Sequence, residues 1–161
     1  MIRAVLIALC LAPASVALGH EYQAGDLMID HPVIYKSFAR ARAAGGYMTI
    51  TNTGDADDLL IGISTEGPMA MLHESREEEG VMRMIHLDAV EVPAGATVSF
   101  APGGLHVMFM GLAPEDLPVG DRLDATLLFD RAGEVAVTFH VEELPKDGHV
   151  TDHSQHGGIT H

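Results

Sequence analysis

His73, Met84, His106 and Met108 follow one another in the spacing HX10MX21HXM, two imidazoles and two thioethers with no thiol among them. Copper(I) is a soft, closed-shell ion that favours thioether sulfur and neutral imidazole, and few other biological ions are held by methionine at all. With 10 His and 9 Met in 161 residues, chance produces such an arrangement with a probability of roughly 0.002. The pattern therefore points to a copper(I) site. Residues two apart on a strand share a face, so His106 and Met108 can reach one ion while Leu105, Val107 and Phe109 face the other way. His73 and Met84 flank residues 74–81, a polar stretch containing Gly80 that suits a hairpin loop, and strand pairing would bring them together. All four donors are uncharged when the imidazoles are deprotonated. Copper(I) would then keep its single charge, giving a binding that is substantial but releasable, whereas copper(II) prefers nitrogen and oxygen in a tetragonal set. Protonation competes below the ordinary imidazole pKa of roughly 6.5.

Other donors stand nearby. Met71 lies two residues from His73 and Met82 two from Met84; these, with Met110 and His86, read chiefly as packing, Met71 and Met82 also as substitute ligands. Met48, between Tyr47 and Thr49, reads as core. His149, His153, His156 and His161 form a separate set without thioethers, suited to copper(II) and equally to zinc or nickel. Glu77, Glu78 and Glu79 read as a solvated hairpin tip. Pro102, Gly103 and Gly104 turn the chain ahead of His106 and do not cradle phosphate, because no helix start or lysine follows. No Ser-His-Asp arrangement can be identified from spacing.

Short alternating segments must position these side chains. Leu123, Ala125, Leu127 and Phe129 share one face of a strand over 122–129, and Val135, Val137, Phe139 and Val141 share one over 134–141. Further strands are expected at 27–31, 47–51, 59–65, 70–75, 81–87, 97–100 and 106–110. Turn-rich stretches separate them at 52–55, 93–95, 102–104 and 130–133. Residues 36–44 suit a short helical turn or a loop. No segment after the first 19 residues sustains a long helical period, so the expected fold is an all-β antiparallel sandwich.

A chain of 161 residues makes one domain with one substantial core. Residues 1–19 read as a secretory signal: Arg3 gives a positive start, an apolar run follows, and Ala17 and Gly19 are small residues before a cut. The run is shorter than the ~20 residues a spanning helix needs. Leu9 is too large for the small residue expected before a lipidated Cys10. Cleavage after Gly19 leaves His20 at the N-terminus, no cysteine, and 8 basic against 23 acidic residues, a net charge of −15 with His neutral. Free thiols are oxidised in exported compartments, and methionine avoids that chemistry. An acidic surface is repelled by phosphates and anionic lipid, which argues against nucleic-acid or membrane-surface binding. Residues 20–145 form the sandwich domain, and 146–161, nearly devoid of apolar residues, a flexible His-rich tail.

The segments GGYMTITNTGDADDLL, MLHES, GVMRM, VPAGATVSFAPGGLHVMFMGL and VGDRLDATLLFDRAGEVAV carry a wider likeness. From about Asp26 to about Val141 the chain resembles the PCu(A)C family of periplasmic copper chaperones, whose signature is the His, Met, His, Met pattern. The resemblance implies a cupredoxin-like Greek key and copper(I) delivery toward the dinuclear copper centre of cytochrome c oxidase, either to its copper subunit or through another assembly chaperone. Some members of the family carry His-rich or Met-rich extensions, which implies a second, copper(II) locus in the tail. Buffering of periplasmic copper without a dedicated acceptor is the alternative to chaperoning. A blue-copper electron carrier would need a thiolate that the exported chain lacks. A copper oxygenase would need His20 at the terminus beside a second histidine. The expected protein is thus a carrier and not an enzyme.

Overall fold

Alternating burial along nearly every segment produces strands and, among the described residues, no helix. The computed structural model describes residues 21–36, 42–113 and 116–144. In order these form β1 (Glu21–Ala24), β2 (Leu27–Lys36), β3 (Ala43–Asn52), β4 (Asp58–Thr65), β5 (Met69–Glu78), β6 (Val81–His86), β7 (Val90–Val92), β8 (Thr97–Phe100), β9 (Leu105–Met110), β10 (Arg122–Phe129) and β11 (Gly133–Glu143). No helix among the described residues is long and apolar enough to cross a membrane.

The strands are hydrogen-bonded in the order β6-β5-β9-β3-β2-β11-β10-β4-β7, with β1 added to β2 and β8 to β3. Most neighbours are not consecutive in the chain, as Greek-key connections require. The continuous sheet folds over one core drawn from both halves. Phe109 of β9 meets Phe139 of β11 edge to face at 5.3 Å between ring centroids, with Ile29, Ile50, Leu60, Leu127 and Val107 fully buried around them. Gly46 lets the aromatic pair pack: a Cβ there would stand 2.5 Å from Cε2 of Phe109.

Several expectations are extended or changed. The two C-terminal strands pair as an antiparallel hairpin, closed by the turn that Asp58 holds with its carboxylate, which accepts N–H from Leu59, Arg131 and Ala132. One pairing departs from the antiparallel pattern: β11 runs parallel to β2, His140 opposite Val33 through Glu143 opposite Lys36. These strands lie far apart in sequence, so no tight turn dictates their relative direction. The strand expected at 27–31 continues to Lys36 past an irregularity between Asp30 and Val33. Pro32 offers no N–H to the ladder there, and His31 adopts φ 50°. Ala43 and Ala44 are strand rather than helical turn, while 37–41 fall outside the described residues. The short strands β1 and β7 were not anticipated. The 1–19 leader, His20 and the 146–161 tail also lie outside the described residues.

Candidate metal centre

β9 begins from a tight turn. Gly103 takes φ 84°, the Gly104 N–H donates to the Ala101 carbonyl at 3.0 Å, and the Ser75 N–H donates to the Gly104 carbonyl at 3.0 Å, tying the turn to β5. The same Gly104 carbonyl lies 3.0 Å from Nδ1 of His106. A carbonyl only accepts, so Nδ1 carries the proton and Nε2 keeps a free lone pair. Backbone geometry thus fixes the tautomer of a buried imidazole, exposed by only 6%.

Register then decides which side chains meet. On β5 and β9, His73 stands opposite His106, Met71 opposite Met108, and Met69 opposite Met110. On β5 and β6, His73 stands opposite His86, and Ser75 opposite Met84. Directly opposed residues of an antiparallel pair share a face. Leu72, Val107 and Phe109 point the other way and are buried in the core. All four expected ligands therefore lie on one face of three adjacent strands, outside the apolar core. The rings of His73 and His106 stack at 5.9 Å with 21° between planes.

The hairpin differs from the expected wide loop. β5 runs on to Glu78, and the turn is only Glu79 and Gly80, at φ 54° and 79°. Two successive left-handed residues make the primed turn that matches strand twist. With that register Met84 sits diagonally from His73, a spacing of about 7–8 Å or somewhat less between Cβ atoms, and His86 takes the directly opposed place, its ring edge-on to His73 at 5.3 Å. Met84 is 56% exposed on the outermost strand. The glutamates at the tip are exposed, as expected.

Electrostatics prepare the histidines for a cation of low charge. Nδ1 of His73 is buried without a well-formed hydrogen bond, an arrangement that a metal ion would satisfy. Burial, then the neighbouring His106 and His86 imidazoles, push the His73 pKa below the ordinary histidine value, with the Met71 backbone opposing in part. The ring is therefore neutral at pH 7. Among the described residues no three His, Cys, Asp or Glu side chains converge as a metal site by themselves; the other soft donors on this face are methionine sulfurs. On the β3 side, Gly45 stands opposite Met108, and the Tyr47 phenol covers Gly45 closely. Burial, and next the adjacent Tyr35, push the Tyr47 pKa up, so this wall offers no phenolate. The donors present thus fit a soft monovalent metal.

Two neighbours read chiefly as packing occupy more pointed positions. His86 faces His73 and Met71 faces Met108 across the strands. Reading Glu79 and Gly80 as a two-residue turn would have given that register. Met48 is core, as expected. His149, His153, His156 and His161 lie outside the described residues.

Known proteins share this arrangement of strands. The family described as "Putative lipoprotein LpqE-like" matches residues 27–141. The chain belongs to the LpqE-like family. A relative of this family member, "Putative lipoprotein Lxx21020" of Leifsonia xyli subsp. xyli (strain CTCB07), is 28% identical over 153 residues, covering 89% of this chain and 91% of its own. Among solved structures, the copper-bound PCuAC domain from PmoF2 is 31% identical with a TM-score of 0.66, over 78% of this chain and 99% of that one. Apo-DR1885 from Deinococcus radiodurans is 26% identical with a TM-score of 0.55, over 89% of this chain and 95% of that one. The LpqE-like chain accordingly has the cupredoxin-like β fold of PCuAC copper-chaperone domains.

Proposed function

We propose that the LpqE-like chain is an exported copper chaperone that holds copper(I) through His73, Met84, His106 and Met108 and passes it to an acceptor protein by ligand exchange. The observation that carries the reading is the direct opposition of His73 and His106 on β5 and β9, with both methionines on the same face. His106 offers Nε2, and His73 is held neutral. Two uncharged thioethers then complete a set that suits copper(I) and discriminates against harder divalent ions. Copper is cargo here, and the role is binding and handover with no covalent catalysis.

Met84, exposed on the outermost strand, is the ligand an incoming donor displaces first; the buried His106 is the last to let go. The resemblance to PCu(A)C chaperones supports an acceptor at the dinuclear copper centre of cytochrome c oxidase, reached through its copper subunit or a further assembly chaperone. Export follows from the leader at 1–19, cut after Gly19, and places the protein in the periplasm or an equivalent envelope compartment; the lipoprotein description of its relatives accords with export. The tail histidines His149, His153, His156 and His161 add a copper(II) locus.

Anaerobic copper(I) titration against a competing chelator tests the primary site. Wild type should bind one ion tightly, and the His73→Ala/Met84→Ala/His106→Ala/Met108→Ala variant should lose it. Equal tight binding by both would overturn the assignment.

A further inference from the structure

The metal-facing side of the sheet does not end at Met108. One rung beyond the Met71/Met108 pair, Met69 stands opposite Met110, so two methionine pairs succeed the His73/His106 pair along the same two strands. Opposed residues have Cβ atoms about 4.5–5.5 Å apart, and successive same-face rungs are separated by about 6.5–7 Å. A methionine side chain with three rotatable bonds spans such gaps. Three thioethers, from Met69, Met71 and Met110, can therefore converge on a point between the rungs, leaving Met108 shared with the first site.

Packing does not account for these side chains. Met69 is 59% exposed, and Met71 and Met110 are only partly buried, whereas the core on the other face is made of Leu72, Val107 and Phe109. Met69 and Met110 border an open cavity of about 520 Å³, together with Leu112, Leu117 and Asp116, whose carboxylate accepts the Ala113 N–H. On β3 the residue opposite Met110 is Ala43, a small neighbour, and Met110 stays partly exposed.

We infer that Met69, Met71 and Met110 form a second soft-metal locus, one rung along from the His/Met centre, which takes a second copper(I) ion and exchanges it with the first site through Met108. The inference rests on the copper(I) reading of that centre. Uncharged thioether donors select copper(I) and reject magnesium, calcium and zinc. The acidic chain, with a formal net charge of −14, draws the cation in. Movement between the loci needs no change of oxidation state: one thioether bonds as another leaves, and all stay neutral.

The test is an anaerobic copper(I) titration of the full chain carrying 13C-methyl methionine, followed by methyl NMR. The first equivalent should shift the Met84 and Met108 methyls, and the second those of Met69, Met71 and Met110. In Met69→Leu/Met110→Leu, which keeps side-chain volume beside an open cavity, the first stage should persist and the second-stage shift of Met71 should vanish. Met69 and Met110 methyls unmoved by two equivalents would overturn the inference, as would a Met71 shift surviving in the double variant. If Met69, Met71 and Met110 respond while Met84 and Met108 do not, the second locus stands and the primary assignment falls.

Discussion

Gly46→Ala is a demanding test of how the core holds the metal strands. The new Cβ would lie 2.5 Å from Cε2 of Phe109, and 3.3 Å from both Cε1 of Phe139 and Cβ of Val107. All three neighbours are buried, Phe109, Phe139 and Val107 each being 0% exposed, with Phe109 and Phe139 locked in one aromatic contact. None can swing into solvent, so β9 must shift or an aromatic ring must leave its rotamer. Overpacking of this kind costs about 1–3 kcal/mol. For a domain of this size that lowers the melting temperature by about 3–10 °C. Val107 and Phe109 alternate with His106 and Met108, so any movement of β9 also displaces two of the proposed ligands. Thermal melts by circular dichroism, with and without one equivalent of copper(I), should show reduced stability and a smaller copper-induced rise than in wild type. Gly45→Ala is the control, because its Cβ meets the phenol end of Tyr47, a half-buried side chain that can turn aside. A Gly46→Ala protein as stable as wild type to within about 0.5 kcal/mol would refute the packing argument.

Met84→Leu should leave the melting temperature almost unchanged, since the side chain is exposed, and should weaken copper(I) binding at least about 10–100-fold, read by chelator competition. His106→Ala should weaken binding similarly and also destabilise the apo protein by about 0.5–1.5 kcal/mol for the lost bond to Gly104. For His73, the folded pKa is lowered by burial and by His106 and His86, so the unfolded chain takes up a proton at higher pH than the folded one. Stability should therefore fall as pH drops from roughly 6.5 down through the folded pKa and level off below it. Urea midpoints across that range should flatten in His73→Gln, and copper(I) affinity should decline toward pH 5 in wild type. Asp58→Asn, which weakens three part-buried hydrogen bonds from backbone N–H groups, should cost about 1–3 kcal/mol in urea unfolding while leaving copper(I) affinity intact. Intact-mass analysis of the exported protein should give a chain starting at His20 without Cys10; a lipid-modified cysteine would contradict that cleavage.

The strands over 122–129 and 134–141 were legible because each alternates cleanly against one core, and the same rule put His106 and Met108 on a common face. Local patterns could not supply the parallel contact of β11 with β2, which depends on where two distant segments arrive. Pro32 hid the second half of β2, since its missing N–H reads as an end when it marks only an irregularity. β7 is too short to show a period. The candidate metal residues were picked out by type and spacing, but their neighbours depend on register. Charged residues at 76–78 read as loop, although they belong to a paired strand that projects beyond the core. Placing the turn at Glu79 and Gly80 shifts every cross-strand neighbour and brings in His86.

The donor atoms occupy the side of the sheet that the apolar interior does not use. On the proposed ligand set, the chain can mature empty, accept an ion afterwards, and surrender it with its apolar core intact. A transporter of this design can complete many rounds between donor and acceptor, where a protein knitted together by its metal would be lost at the first delivery.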